Sequence, residues 1–237
     1  MPNWVANRVI VTGPEADLAA FVERHLREDE EDGLVFDFET VVPVPDVVLA
    51  TEGTADGELG LVALGLNLGG DDPHRPTLAE VLSETWARDA GIGSRVALLA
   101  HLEEHRPDVL AAARKLIACH EATGFVDWRE WSLHHWGTKR DGGPANILFS
   151  GSEVIGFAFE TASSMPEPIF RELGILHSTL GFEIEAIDPG NGWAVTGEVL
   201  GTDARFEPAD CREVYEQIYG APPDDDEEEE GKEVEQA

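Results

Sequence analysis

Lysine is almost missing from this chain. Only Lys115, Lys139 and Lys232 occur in 237 residues, and lysine plus arginine number 16 against 48 aspartates and glutamates. The formal net charge is -32. A nucleic-acid binder needs a basic footprint that displaces counterions from phosphates, and the sequence has none. Direct binding to DNA, RNA or an anionic lipid surface is therefore disfavoured. Cysteine is equally scarce. Cys119 and Cys211 are the only two, too few for a disulfide scaffold or a four-thiolate iron–sulfur cluster. No apolar run reaches the roughly 18–20 residues of a membrane helix, and MPNWVANR lacks the charged-then-apolar order of a signal peptide. A reducing cytoplasm is the expected compartment. There is no GxSxG, no GxxxxGK(S/T) and no GxGxxG after a strand, so no cofactor is expected.

The acids that replace the missing bases are spread along the whole chain. Asp224 to Glu235 holds nine of them against Lys232, a net of -8, which leaves -24 for the remainder. The composition of residues 221–237 predicts a disordered acidic tail. For the remaining acids two readings are open. One is adaptation of the host to high salt, where carboxylates maintain solubility and screening removes their repulsion. The other is a mimic of DNA that occupies a basic protein, which would require carboxylates in a contiguous stripe at duplex-like spacing.

The pattern along the chain predicts an α+β protein. Residues 3–12 read as a strand closed by Gly13-Pro14, and Pro14 opens a helix to about Arg27. Residues 34–42 read as a second strand, stopped by Pro43 and Pro45. Residues 46–72 are rich in Gly, Asp and Thr and read as loop. Three helices follow: one from a Thr77/Glu80 capping box to about Ala90, one from Ser94 to Glu104, and one from Pro107 to about Ala122. Strands are expected at NILFS (146–150) and VIGFAFET (154–161), then a helix from Pro166. A hairpin of Phe182–Ile187 and Trp193–Leu200 turns at Gly190-Asn191-Gly192. Glu207 to Tyr219 reads as a final helix. Leaving the middle aside, the order is strand, helix, strand, then strand, helix, strand. That is the split β-α-β pattern of a ferredoxin-like antiparallel sheet, with residues 1–45 and 123–220 as its core and 46–122 as a loop and helical insertion.

Tryptophan is concentrated in one place. Trp128, Trp131 and Trp136 lie within DWREWSLHHWGTK (127–139). Asp127 and Glu130 have capping-box spacing, and Gly137 suits a left-handed cap. Three indoles in nine positions form either a packed core element or an aromatic surface. The packed form would lock the helical insertion onto the sheet.

These pieces resemble the YubB ferredoxin-like domain family, proteins of plasmids, phages and integrated elements whose activity is unassigned. Pro2-Asn3-Trp4 with Asn7 resembles the family's opening PNWCxN. FETVVPVP (38–45) resembles its strand and P-x-P turn, and Asp127–Lys139 its DWxxW…WGTK signature. Phe159-Glu160-Thr161-Ala162 resembles its FxTA strand, and Glu185–Gly197 its last hairpin. Val5 stands where the family often has cysteine, and Ser163 where a tryptophan commonly follows FxTA. Residues 73–122 are longer and more helical than the family pattern. The resemblance implies the fold and a mobile-element origin, and no activity.

The candidate binding surface is the Trp-Gly-Thr-Lys region beside the first strand: Trp4, Asn7, Trp128, Trp131, Trp136, Gly137, Thr138 and Lys139. The alternative for the indoles is a core, and for Lys139 a salt bridge to one of the many acids. His101-x-x-Glu104-His105 matches H-x-x-E-H. On a helix it would set two imidazoles one turn apart for Zn²⁺, with Glu104 as base. Its alternative is a solvated helix end. Cys119-His120 and His134-His135 are adjacent pairs and share no helical face. Gly65 to Gly70 lacks the Lys and Ser/Thr of a phosphate loop. The expected role is a non-enzymatic accessory or binding protein with a protein partner. An acidic DNA-mimic inhibitor and a zinc-dependent hydrolase are the alternatives.

Overall fold

A computed structural model describes residues 3–31, 33–54, 56–68 and 75–223. The expected tail therefore lies outside the described residues from 224 onward. The chain divides into two compact units, 1–43 with 132–237, and 44–131.

The first unit is built on a sheet. It begins with β1 (Trp4–Thr12) and α1 (Glu15–His25), followed by a hairpin of β2 (Leu26–Asp29) and β3 (Gly33–Phe36) and a 3-10 turn at Phe38–Thr40. Here the structure departs from the expected second strand at 34–42. Leu26 pairs with Phe36 and Asp29 with Gly33, forming a separate two-stranded sheet. The helix ends at His25 instead of about Arg27, and Glu30 and Glu31 lie in the turn between the two strands. Asp37 then stops the strand, because its side chain accepts the Glu39 N–H and starts the 3-10 turn.

The second unit holds the short helices α2 (Asp46–Leu49) and α3 (Gly57–Leu64), where loop was expected, then α4 (Leu78–Ser83), α5 (Thr85–Asp89), α6 (Arg95–His105) and α7 (Pro107–Thr123). The Thr77/Glu80 capping box forms. The expected single helix to Ala90 is broken by Glu84, which is extended at ψ 145°. α3 lies close against α7 because Gly57 and Gly60 face it. A Cβ at Gly60 would lie 2.7 Å from the Val109 carbonyl. Leu98, Leu102, Val109 and Ala63 build this unit's core.

The next helix, α8 (Trp128–His135), crosses the boundary between units. The rest belongs to the first unit: β4 (Ala145–Ser150), β5 (Val154–Ala162), α9 (Glu167–Leu176), β6 (Gly181–Asp188), β7 (Trp193–Leu200), β8 (Asp203–Pro208) and α10 (Cys211–Tyr219). The sequence pattern missed β8 and merged its end with α10. Six strands form one antiparallel sheet in the order β4-β5-β1-β6-β7-β8.

The two sheet faces differ as period-two alternation dictates. Val5, Val9 and Val11 line up with Phe157, Phe182 and Ile184, all buried. The α1 ring Phe21 packs on Phe157 and Phe182. The other face is largely polar and carries Arg8, Glu183, Glu185, Glu198, Arg205 and Glu207. At one end of it α10 covers Ala6, Ile187 and Ala194 through Val214.

Among the described residues no helix is long and apolar enough to cross a membrane. Both cysteines are free.

Candidate functional site

Beside the part of the open face that α10 covers, a cleft of about 640 Å³ is lined by Trp4, Arg140, Asp141, Asn146, Glu160 and Tyr219. Even-numbered residues of β1 and β5 point out of the helical core, so Trp4, Ala6, Ala158 and Glu160 form its floor. Trp4 is 47% exposed and Tyr219, at the end of α10, is 48% exposed. Large rings half open to solvent in a concave site are the usual anchors of recognition.

Asp141 is the unusual acid of the cleft. Its Oδ1 accepts the backbone N–H of Phe38 at 2.8 Å and of Gly142 at 2.7 Å. Burial pushes its carboxyl up to about 6, against those two hydrogen bonds, with the Asp37 and Glu39 charges adding to the rise. The Tyr219 hydroxyl is also raised, by burial first and then by the nearby Glu160 charge. A carboxyl raised by burial in a cleft is the kind of group that functional sites hold.

The residues singled out from sequence fall into separate environments. Trp136 is fully buried, donates its indole N–H to the Val42 carbonyl at 3.1 Å and meets Phe38 edge-on at 5.7 Å. Gly137 has φ +78°, and a Cβ there would lie 2.6 Å from the Pro168 ring. Thr138 is fully buried and donates to the Ala162 carbonyl at 2.9 Å. Asn7 is fully buried on the helical side of β1 and donates to Thr161 Oγ1 at 2.9 Å, and Thr161 in turn donates to the Ser164 carbonyl. Thr138 thus ties the segment after α8 to β5, Trp136 seats it on Val42 and Phe38, and Gly137 lets it approach Pro168, while Asn7 ties β1 to β5. Trp136 and Thr138 are buried instead of forming an exposed Trp-Gly-Thr-Lys face, which corrects that part of the expectation, while Asn7, like Trp4, borders the cleft. Lys139 is exposed and immediately precedes Arg140, which does line the cleft.

Trp128 and Trp131 belong to the other unit, where their rings stack at 6.2 Å and 22°, with Trp131 only 4% exposed. Asp127 caps α8 by accepting the Glu130 N–H. Glu130 turns to the Val126 N–H and to Arg75, so the second half of the expected capping box is replaced.

No protein-family model matches the chain, and no curated protein matches it. Among solved structures, a crystal structure of the protein api92 from Yersinia pseudotuberculosis, family model DUF1281, is similar at a TM-score of 0.39 and 12% identity. The match covers 88% of this chain and 99% of that one. A match at that level carries neither fold nor function across.

The remaining motif, His101-x-x-Glu104-His105, lies on α6. Its imidazoles stack face to face at 4.5 Å and 10°, and His105 Nδ1 sits 3.2 Å from the His101 carbonyl. Among the described residues no group of three His, Cys, Asp or Glu side chains stands close enough to hold a metal.

Sequence reading missed Asp141, Asn146, Glu160 and Tyr219 as cleft residues. Tyr219 is one of only two tyrosines, but nothing local says that its helix ends above β1. Asp141 directly follows Lys139-Arg140, and nothing in the local sequence marks it among the 48 acids.

Proposed function

We propose that the chain is a non-enzymatic binding protein that receives a segment of a protein partner in the cleft of Trp4 and Tyr219. The half-exposed rings carry this reading. They offer stacking area at low entropic cost, while Glu160 and Asp141 favour a basic side chain beside an apolar one. The strong negative charge would speed encounter with a basic partner. The fold that holds the site is, in this reading, a ferredoxin-like split β-α-β core with β7 and β8 added. In support, β5, α9 and β6 place two strands on either side of β1, and β4 lies beside β5, where the second strand of that fold belongs. The resemblance of the 127–139 signature to a family of plasmid and phage proteins supports a mobile-element origin, and the scarcity of cysteine supports a cytoplasmic site of action.

The acidic-decoy alternative is less favoured. Arg8 bonds Glu185 and Arg205 stands opposite Glu198, so bases interrupt the acid rows of the open face. Photo-crosslinking tests the proposal. A photoreactive residue at position 219 should trap one protein in host cells, and Trp4→Ala should abolish the adduct. An adduct that persists in Trp4→Ala, or appears equally from the 40% exposed Trp86 of the helical unit, would refute the site.

A further inference from the structure

The six-stranded sheet has two edges, and they are guarded differently. β8 carries Asp203, Arg205, Glu207 and Pro208, the kinds of residue that keep an exposed edge from pairing. β4 carries no charge. Gly142 to Ser152 is an uncharged stretch in a chain of net charge -32. Ile147, Leu148 and Phe149 are 42%, 45% and 40% exposed. A bulge between Ile147 and Phe149 sets these two on opposite faces of the sheet. Ile147 lies level with Phe157 on the helical face. Phe149 lies over Gly156, where a Cβ would come within 2.5 Å of the ring. Next to Ile147 a groove of about 500 Å³ runs along α1, lined by Leu18, Ala19, Val22 and Ile155 with Glu15 and Glu23. β3 makes an isolated bridge, Val35–Pro144, immediately before β4. Beyond that bridge, among the described residues, the outer edge of Ile147–Ser150 has no backbone partner.

We propose that this edge pairs antiparallel with the same edge of a second copy of the chain, continuing the sheet across a two-fold axis. The groove along α1 would receive Ile147 of the other copy. Three observations select a second copy as the occupant. An antiparallel edge strand is self-complementary under two-fold symmetry. Copies this acidic repel each other over most of their surface, so contact costs least along a strand without carboxylates. The pairing strand β4 itself offers a basic partner no acid, the groove's Glu15 and Glu23 standing on α1 and not on the strand. The repulsion that remains is screened by salt, so association must strengthen as salt rises.

Sedimentation equilibrium of the full chain at low and at molar KCl tests this. The expected result is a species of twice 25.8 kDa at molar KCl that dissociates as the salt is lowered. Leu148→Lys and Ile147→Lys should each abolish the dimer at the same salt with unchanged far-ultraviolet circular dichroism. The amides of Ile147–Ser150 should exchange more slowly as wild-type concentration rises, a readout that needs no variant. A monomer at every concentration in molar KCl would overturn the proposal, and so would a dimer that Leu148→Lys leaves intact.

Discussion

At the scale of single residues, buried polar groups set the pH response. His25 is fully buried, with Nδ1 2.6 Å from Thr40 Oγ1 and Nε2 2.8 Å from His177 Nε2. The Thr40 hydroxyl has one proton and gives it to the Asp37 carbonyl. It must therefore accept from His25 Nδ1–H, which leaves His25 Nε2 to accept from His177. His25 is neutral in this arrangement. Burial, His177 and Arg24 lower His25 to about 3, and burial lowers His177 as well. A folded pKa below the unfolded value means that the unfolded chain binds more protons, so His25 withdraws stability as pH falls from about 6.5 to about 3, and His177 acts in the same sense. Asp141 acts in the opposite sense. Its folded pKa of about 6 lies above the ordinary value of 3.8, so protonation in that window stabilises the fold. Asp141→Asn keeps an acceptor for Phe38 and Gly142 without the buried charge. It should raise stability at pH 7 by about 1 kcal/mol and steepen the decline between pH 6 and pH 4, read from urea midpoints across pH. Trp136→Ala should cost about 3–5 kcal/mol in the same assay, because the ring is buried and its N–H is bonded. A cost below about 1 kcal/mol would contradict its place in the core.

At the scale of elements, local signals were legible where they were self-contained. The Thr77/Glu80 capping box, the left-handed cap at Gly137, the hairpin of β6 and β7, and the alternation in β1 and β5 all formed as the residues dictate. Pairing partners were not legible. Residues 34–36 have a strand-like pattern, but no local feature shows that they fold back on Leu26–Asp29 and leave the place beside β5 to β4. Helix contact by glycine was missed for the same reason. Gly57 and Gly60 look like loop residues in the sequence, yet they let α3 approach α7. Gly60→Ala should therefore destabilise the helical unit by about 1–3 kcal/mol through overpacking against the Val109 carbonyl, measured by chemical unfolding. The same substitution at Gly93, which has open space around it, should be within about 0.5 kcal/mol of neutral.

At the scale of the whole molecule, the charge of -32 governs behaviour in salt. Self-repulsion opposes the compact state and is screened as ionic strength rises, so the melting temperature should climb from low to molar KCl. A flat curve would count against salt adaptation. Composition made this property plain. The cleft was only half visible. Trp4 was singled out from the sequence, but Tyr219 and Asp141 reach it from 215 and 137 positions further along the chain, a distance that only tertiary structure closes. The most direct test of the binding role is the affinity of the crosslinked partner, once identified, for wild-type chain and for Trp4→Ala at the host's own salt concentration. A central aromatic anchor predicts a loss of about 30-fold or more, equivalent to about 2 kcal/mol. Equal affinity for the two chains would contradict the assignment of this cleft as the binding surface.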